Sequence, residues 1–328
     1  MAFLGALFFG FVPMFMFAAL VNWIDRYEKE PKLLLGAAFL WGVVIAGGGA
    51  FILNTAFGIG IYALTGSEGA TEFGTTSIVA PIIEEGLKGL AVLVVFLMFR
   101  EEFDSVLDGV VYAAVTAMGF AALENVLYIY RNGYLENGWE GFWVLVVIRV
   151  ILVGWMHPFF TAFTGIGLAI ARMSRNLLVK IIAVPTGYAI AVTAHAFHNT
   201  FSGLIGGVQG FVAGTFVDYL GYVAMLVFII WMVVYERNIL KRNLRDEVTN
   251  GLISQNQYKS ATSFFQTNAH LSALKSGTFR STARFYQVCG ELAHKKEQLA
   301  KLGDESGNTK IIENLRAELM QLAPQARA

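Results

Sequence analysis

The chain of 328 residues contains a single cysteine, Cys289. One thiol excludes an intramolecular disulfide and any cysteine-based zinc site. Charge is also scarce: Asp, Glu, Lys and Arg make up 15% of the residues and cancel to a formal net charge of zero. A general attraction to polyanions therefore does not follow. Several hydrolytic signatures are missing as well. There is no HExxH pair, no Gly-x-Gly-Asp segment and no Gly-x-Ser-Gly segment. The N-terminal stretch MAFLGALFFGFVPMFMFAALVNWI has no basic leader, and its apolar run exceeds the roughly fifteen residues of a signal-peptide core. It reads as a retained membrane helix.

What the chain does have is apolar sequence in long blocks, with 56% of its residues hydrophobic. That composition excludes an ordinary soluble domain. A spanning helix needs roughly twenty mostly apolar residues. Seven blocks meet that measure, at residues 2–23, 33–56, 76–99, 106–130, 142–171, 178–204 and 213–236. Residues 57–75, GIGIYALTGSEGATEFGTT, read as a Gly/Thr-rich loop, although the second block can extend through Leu64. The expected fold class is all-α: a polytopic bundle over residues 1–236, followed by a cytosolic tail over 237–328. In the tail Phe285, Val288, Cys289, Leu292 and Leu299 recur at helical spacing, as do Ile311, Leu315, Leu319 and Leu322, with GDESGN between the two sets.

Lys and Arg set the expected orientation. The first loop carries Arg26, Lys29 and Lys32, the third Arg100, and the fifth Arg172, Arg175 and Lys180, and the tail is basic. The intervening loops hold only Arg131. The positive-inside rule then places the N-terminus outside and the C-terminus in the cytoplasm, as suits a bacterial cytoplasmic membrane.

Against that background the ionisable residues inside apolar blocks stand out. A charge near the bilayer centre costs at least a few kcal/mol, so it usually marks function. Glu84, Glu85 and Lys88 lie in the third block, in APIIEEGLKGL. Lys88 is one helical turn from either carboxylate and can neutralise one of them. Adjacent helical residues point about 100° apart, so the other Glu must face different surroundings. Glu124 and Asn125 follow in the fourth block, and His157 precedes Pro158 in the fifth. In the sixth, His195, His198 and Asn199 share one helix face. Asp108 follows Ser105 at capping-box spacing and reads as structural. Arg149 reads as snorkelling outward or pairing with a carboxylate.

Two function classes use such residues. A transporter or proton relay does, but paired broken helices in matching halves are not evident. A hydrolase needs a base for water, donors for an oxyanion and an acid for the leaving amine. Glu, His, Asn and Lys supply these.

EEGLK at 84–88, FAALEN at 120–125 and HAFHN at 195–199 resemble the EExxK, FxxxEN and HxxxN/D motifs of the PrsW family of intramembrane proteases. DRYEKEP at 25–31 and HPFFTAFTGIG at 157–167 are also similar to that pattern. The likeness extends over the membrane helices but not the tail. It implies an endopeptidase acting on membrane-anchored proteins, among them an anti-sigma factor in the best-known bacterial role. The related CAAX prenyl endopeptidase and Abi superfamily carries His where this chain has Glu124, which argues against a CAAX substrate. Two mechanisms follow. In the favoured one, without a cofactor, Glu84 or Glu85 activates water, Lys88 holds its neighbour, and His195 with Asn199 stabilises the oxyanion. In the alternative, His157, His195 and Glu124 ligate zinc, and Glu84 or Glu85 is the base.

Overall fold

The computed structural model describes residues 1–264, 267–304 and 307–328. Every regular element among them is helical. Helix α1 spans Ala2–Ile24, and a short loop leads to α2 (Lys32–Trp41). A π-helical stretch, Gly42–Gly48, joins α2 to α3 (Gly49–Thr65). The expected loop at 57–75 is thus largely helix. Its Gly and Thr residues sit in lipid-length apolar sequence, and the chain turns only at Gly66, in the left-handed region at φ +62°. Helix α4 (Glu68–Phe73) continues through a second π stretch, Gly74–Val79, into α5 (Ala80–Met98).

A capping box opens α6 (Val106–Leu127): the Ser105 hydroxyl accepts from the Asp108 N–H, and the Asp108 carboxylate accepts from the Ser105 N–H. Tyr128–Leu135 is again π-helical. The chain reverses at Gly138, φ +62°, inside α7 (Glu136–Val146), and Gly133 packs closely against Gly141. After a last π stretch, Val147–Leu152, the helix breaks and α8 runs Met156–Arg172. Helices α9 (Leu177–Ile205) and α10 (Gly207–Asn243) complete the membrane portion. Five stretches are long and apolar enough to cross a membrane: Ala2–Ile24, Lys32–Thr65, Val106–Arg172, Leu177–Ile205 and Gly207–Thr249. The third expected block is α5, whose Glu84, Glu85 and Lys88 keep it outside that criterion. The fifth expected block, 142–171, is not one helix but α7 with its π extension and then α8. The protein is a membrane protein with an all-α fold.

Helix α6 is the axis of the bundle, buried along nearly its whole length and packed by α1, α2 and α8. Small residues allow this. A Cβ on Gly165 of α8 would sit 2.0 Å from the Gly109 carbonyl oxygen, and one on Gly109 would sit 2.4 Å from that of Gly165. The two backbones touch there, as small-residue interfaces in membranes permit. Gly165→Ala is expected to destabilise the bundle by about 1–3 kcal/mol through overpacking. Thermal unfolding in detergent checks this, and an unchanged midpoint would contradict the close crossing.

The tail packs against the loops at one end of the bundle. It comprises α11 (Arg245–Thr249), α12 (Gln255–Ala261), α13 (Thr267–Lys275), α14 (Phe279–Leu302) and α15 (Asn308–Leu322). Two residues of the expected GDESGN separator, Glu305 and Ser306, lie outside the described residues. Phe285, Val288, Cys289 and Leu292 are fully buried on α14. Burial pushes the Cys289 thiol up, which leaves it protonated and inert. A Cβ at Gly290 would come 1.9 Å from the Tyr27 carbonyl oxygen, so α14 lies directly on the α1–α2 loop. Lys295 Nζ donates to the Glu101 carbonyl at 2.6 Å and to Asp104 Oδ2 at 2.8 Å.

Candidate active site

Pro81 is the second residue of α5, directly after the π stretch Gly74–Val79. The acidic pair follows within one turn. Glu85 is fully buried and completely engaged. Lys88 Nζ donates to its Oε1 at 2.5 Å, Thr161 Oγ1 donates to its Oε2 at 2.8 Å, and His195 Nδ1 lies 3.0 Å from Oε1. Glu84 points elsewhere. Its Oε1 accepts from Asn54 Nδ2 at 3.2 Å, and its buried Oε2 has no hydrogen-bond partner. The two neighbouring carboxylates do face different surroundings.

His157 enters through the break that the apolar pattern hid. Pro158 cannot continue a helix from upstream but fits the first turn of a new one, so α8 starts at Met156. His157 Nδ1 lies 3.2 Å from Lys88 Nζ, and its Nε2 lies 2.7 Å from Glu124 Oε2. An ammonium only donates, so Nδ1 accepts and Nε2 carries the proton that Glu124 receives. On His195 the carboxylate of Glu85 calls for the proton on Nδ1. Its Nε2 then presents a lone pair, 3.8 Å from Glu84 Oε2.

Arg149 turns inward. It donates to the Glu124 carboxylate through Nη2, and through Nε to Asn125 Oδ1 at 3.2 Å. Asn125 is buried and does not line the cavity; it positions Arg149. Asn199 lies on the cavity wall and donates to the Thr76 carbonyl at 2.9 Å, which leaves its second N–H. His198 also borders the cavity but is paired with Asp218 of α10 at 2.8 Å.

Glu84, Glu124, His157 and His195 thus border one cavity of about 690 Å³. Each of the four π stretches contributes to its wall, for example through Gly47, Thr76, Tyr128 and Arg149. Such widened turns recur at functional sites because they re-aim side chains. Asn54, Thr161 and Asp218 are the polar partners that sequence reasoning missed. Thr161 was the accessible one: it stands four residues after His157, on the same helix face.

A metal ion is a natural occupant to test. Among the described residues, Glu84, His157 and His195 offer ligand atoms within 4.8 Å of one another. Glu84, rather than the expected Glu124, completes that trio. Glu84 Oε2 and His195 Nε2 carry free lone pairs. His157 offers one once the Lys88–His157 pair gives up a proton. Metal binding ordinarily releases protons, so the set fits a divalent ion.

The profile of the PrsW family intramembrane metalloproteases matches residues 30–234. Protease PrsW of Geobacillus kaustophilus is 36% identical over 109 residues, 33% of this chain and 45% of that protein. The Clostridioides difficile Protease PrsW is 34% identical over 118 residues, 35% of this chain and 47% of the relative. For Bacillus subtilis Protease PrsW the figures are 29% over 153 residues, 46% and 62%. The chain spans about half the length of the first two of these curated relatives. No solved structure matches. With the profile covering well over half of its length, the chain belongs to the PrsW family.

Proposed function

We propose that the protein is an intramembrane endopeptidase that hydrolyses membrane-anchored proteins, with Glu84 as the group that takes the proton from the attacking water. The observation that carries this reading is the division of labour between adjacent carboxylates. Glu85 is saturated by Lys88, Thr161 and His195, whereas Glu84 keeps an unpartnered oxygen at a polar cavity. A buried carboxylate in that condition suits a group that must accept and return a proton.

The other side chains have separable duties. Glu85 is a positioning residue that fixes the His195 ring. Lys88 neutralises Glu85 and orients His157, which in turn donates a hydrogen bond from Nε2 to Glu124. Arg149 pairs with Glu124 and holds it in place. Asn199 offers an N–H across the cavity for a developing oxyanion. The family resemblance directs the search for a substrate to membrane-anchored proteins such as an anti-sigma factor. With the N-terminus outside, the site lies in the outer half of the bilayer, within reach of a cut near that face.

A second reading rests on the Glu84–His157–His195 trio. A divalent ion held there would supply Lewis acidity to the scissile carbonyl and a more acidic water. A chelator separates the readings. Cleavage of a purified reporter is expected to survive 1,10-phenanthroline if Glu84 acts alone. Loss of activity that Zn²⁺ restores would instead establish the metal-dependent reading.

A further inference from the structure

We infer a second cation site, where the tail meets the loops, that holds a first-row divalent metal ion such as Zn²⁺ through Glu28, Asp104 and His294. It is separate from the proposed active site and does not depend on the protease reading. Glu28 comes from the α1–α2 loop, Asp104 from the turn before α6, and His294 from α14. Glu28 and His294 lie outside the stretch matched by the family profile.

The geometry argues for a shared ion rather than an ordinary ion pair. His294 Nδ1 lies 3.3 Å from Asp104 Oδ1 and 3.6 Å from Glu28 Oε2. Neither oxygen has a hydrogen-bond partner, although both are buried atoms. The imidazole pairs with both carboxylates in charge, but neither contact reaches full hydrogen-bond geometry. Metal–ligand bonds of about 2.0–2.1 Å in a tetrahedral site place ligand atoms roughly 3.3–3.4 Å apart, close to the 3.3 and 3.6 Å from His294 Nδ1, and all three ligand atoms lie within 4.8 Å of one another. The side chains of His294 and Asp104 are 3% and 2% exposed, so neither lone pair is satisfied by bulk solvent.

The surroundings favour a cation. Asp108 and Glu236 are buried nearby, the first in electrostatic contact with Glu28 and the second with His294. Lys295 holds the other oxygen of Asp104, which leaves Oδ1 to face the trio. Glu28 is the most accessible of the three, with 16% of its side chain exposed, and offers an entry path. One imidazole with two carboxylates suits Zn²⁺ or Mn²⁺ better than Mg²⁺ or Ca²⁺, which prefer oxygen alone. An ion bound there would tie the tail to both loops.

The test is metal counting on full-length protein in detergent. Protein stripped with EDTA is equilibrated with Zn²⁺, freed of unbound ion and analysed by mass spectrometry. Glu28→Ala, on a loop and least buried, carries little folding risk; His294→Ala is the second variant. Each is expected to retain one Zn²⁺ equivalent fewer than wild type, whatever total wild type shows. Gel filtration and helical circular dichroism confirm that the variants remain folded, and Glu28→Ala decides the matter if His294→Ala does not. Equal zinc content in wild type and folded Glu28→Ala would overturn the site.

Discussion

Glu84→Gln is expected to reduce cleavage of a membrane-anchored reporter by at least roughly 10²-fold, the usual contribution of a positioned acid–base group. The helix bundle should survive the change. Glutamine has the same size as glutamate, and its carbonyl can still accept from Asn54, which bonds Glu84 Oε1. What disappears is the basic oxygen at the cavity. The check pairs product formation by the reconstituted protein with thermal unfolding in detergent. An unfolding midpoint near wild type with cleavage gone fits a catalytic role; wild-type cleavage would move water activation to another group.

Lys88→Met is expected to act differently, as a stability defect. The ammonium lies 2.5 Å from Glu85 with neither side chain exposed, and it also contacts His157 and the Phe120 ring. Removing one member of a fully buried ion pair typically costs about 3–5 kcal/mol, because the partner is left as an uncompensated charge. The double variant Lys88→Met/Glu85→Gln should recover much of that loss, since the stranded carboxylate is gone. Cleavage should not recover, because His195 then lacks the carboxylate that holds its Nδ1 proton. Unfolding midpoints of wild type, both single variants and the double variant form a cycle that measures this coupling. Strictly additive effects would contradict the pairing.

Much of the fold was legible because lipid imposes a simple rule: apolar blocks of spanning length become helices. The seven blocks correspond to α1, α2–α3, α5, α6, α7–α8, α9 and α10. The rule misled in two places where local chemistry overrode hydropathy. At 57–65 the glycines and threonines looked like a loop, yet lipid-length apolar context carried the helix to Thr65. At 153–155 nothing apolar is missing, but Pro158 forces a new helix to begin just before it, and that break delivers His157.

The site was partly legible for a related reason. Charges in apolar helices are costly, so Glu84, Glu85, Lys88, Glu124 and the two histidines announced themselves. Their division of labour did not, because it depends on neighbours from other helices. Thr161 and His195 saturate Glu85, while Asn54 leaves one oxygen of Glu84 free. Arg149 had two readings from sequence, and only the tertiary path of the α7 extension brings it to Glu124. Hydrophobic spacing placed α14 and α15, but periodicity says nothing about the partner surface. The burial of Gly290 against Tyr27 needed the three-dimensional fold.

The most direct measurement is made on purified protein in vesicles, mixed with a single-span reporter and followed by mass spectrometry of the products. A buried carboxylate–imidazole pocket that hydrolyses peptides should give two defined fragments with wild type and none with Glu84→Gln. Intact reporter in both samples, together with Glu84-dependent movement of a solute or protons across the same vesicles, would show that these groups serve transport instead.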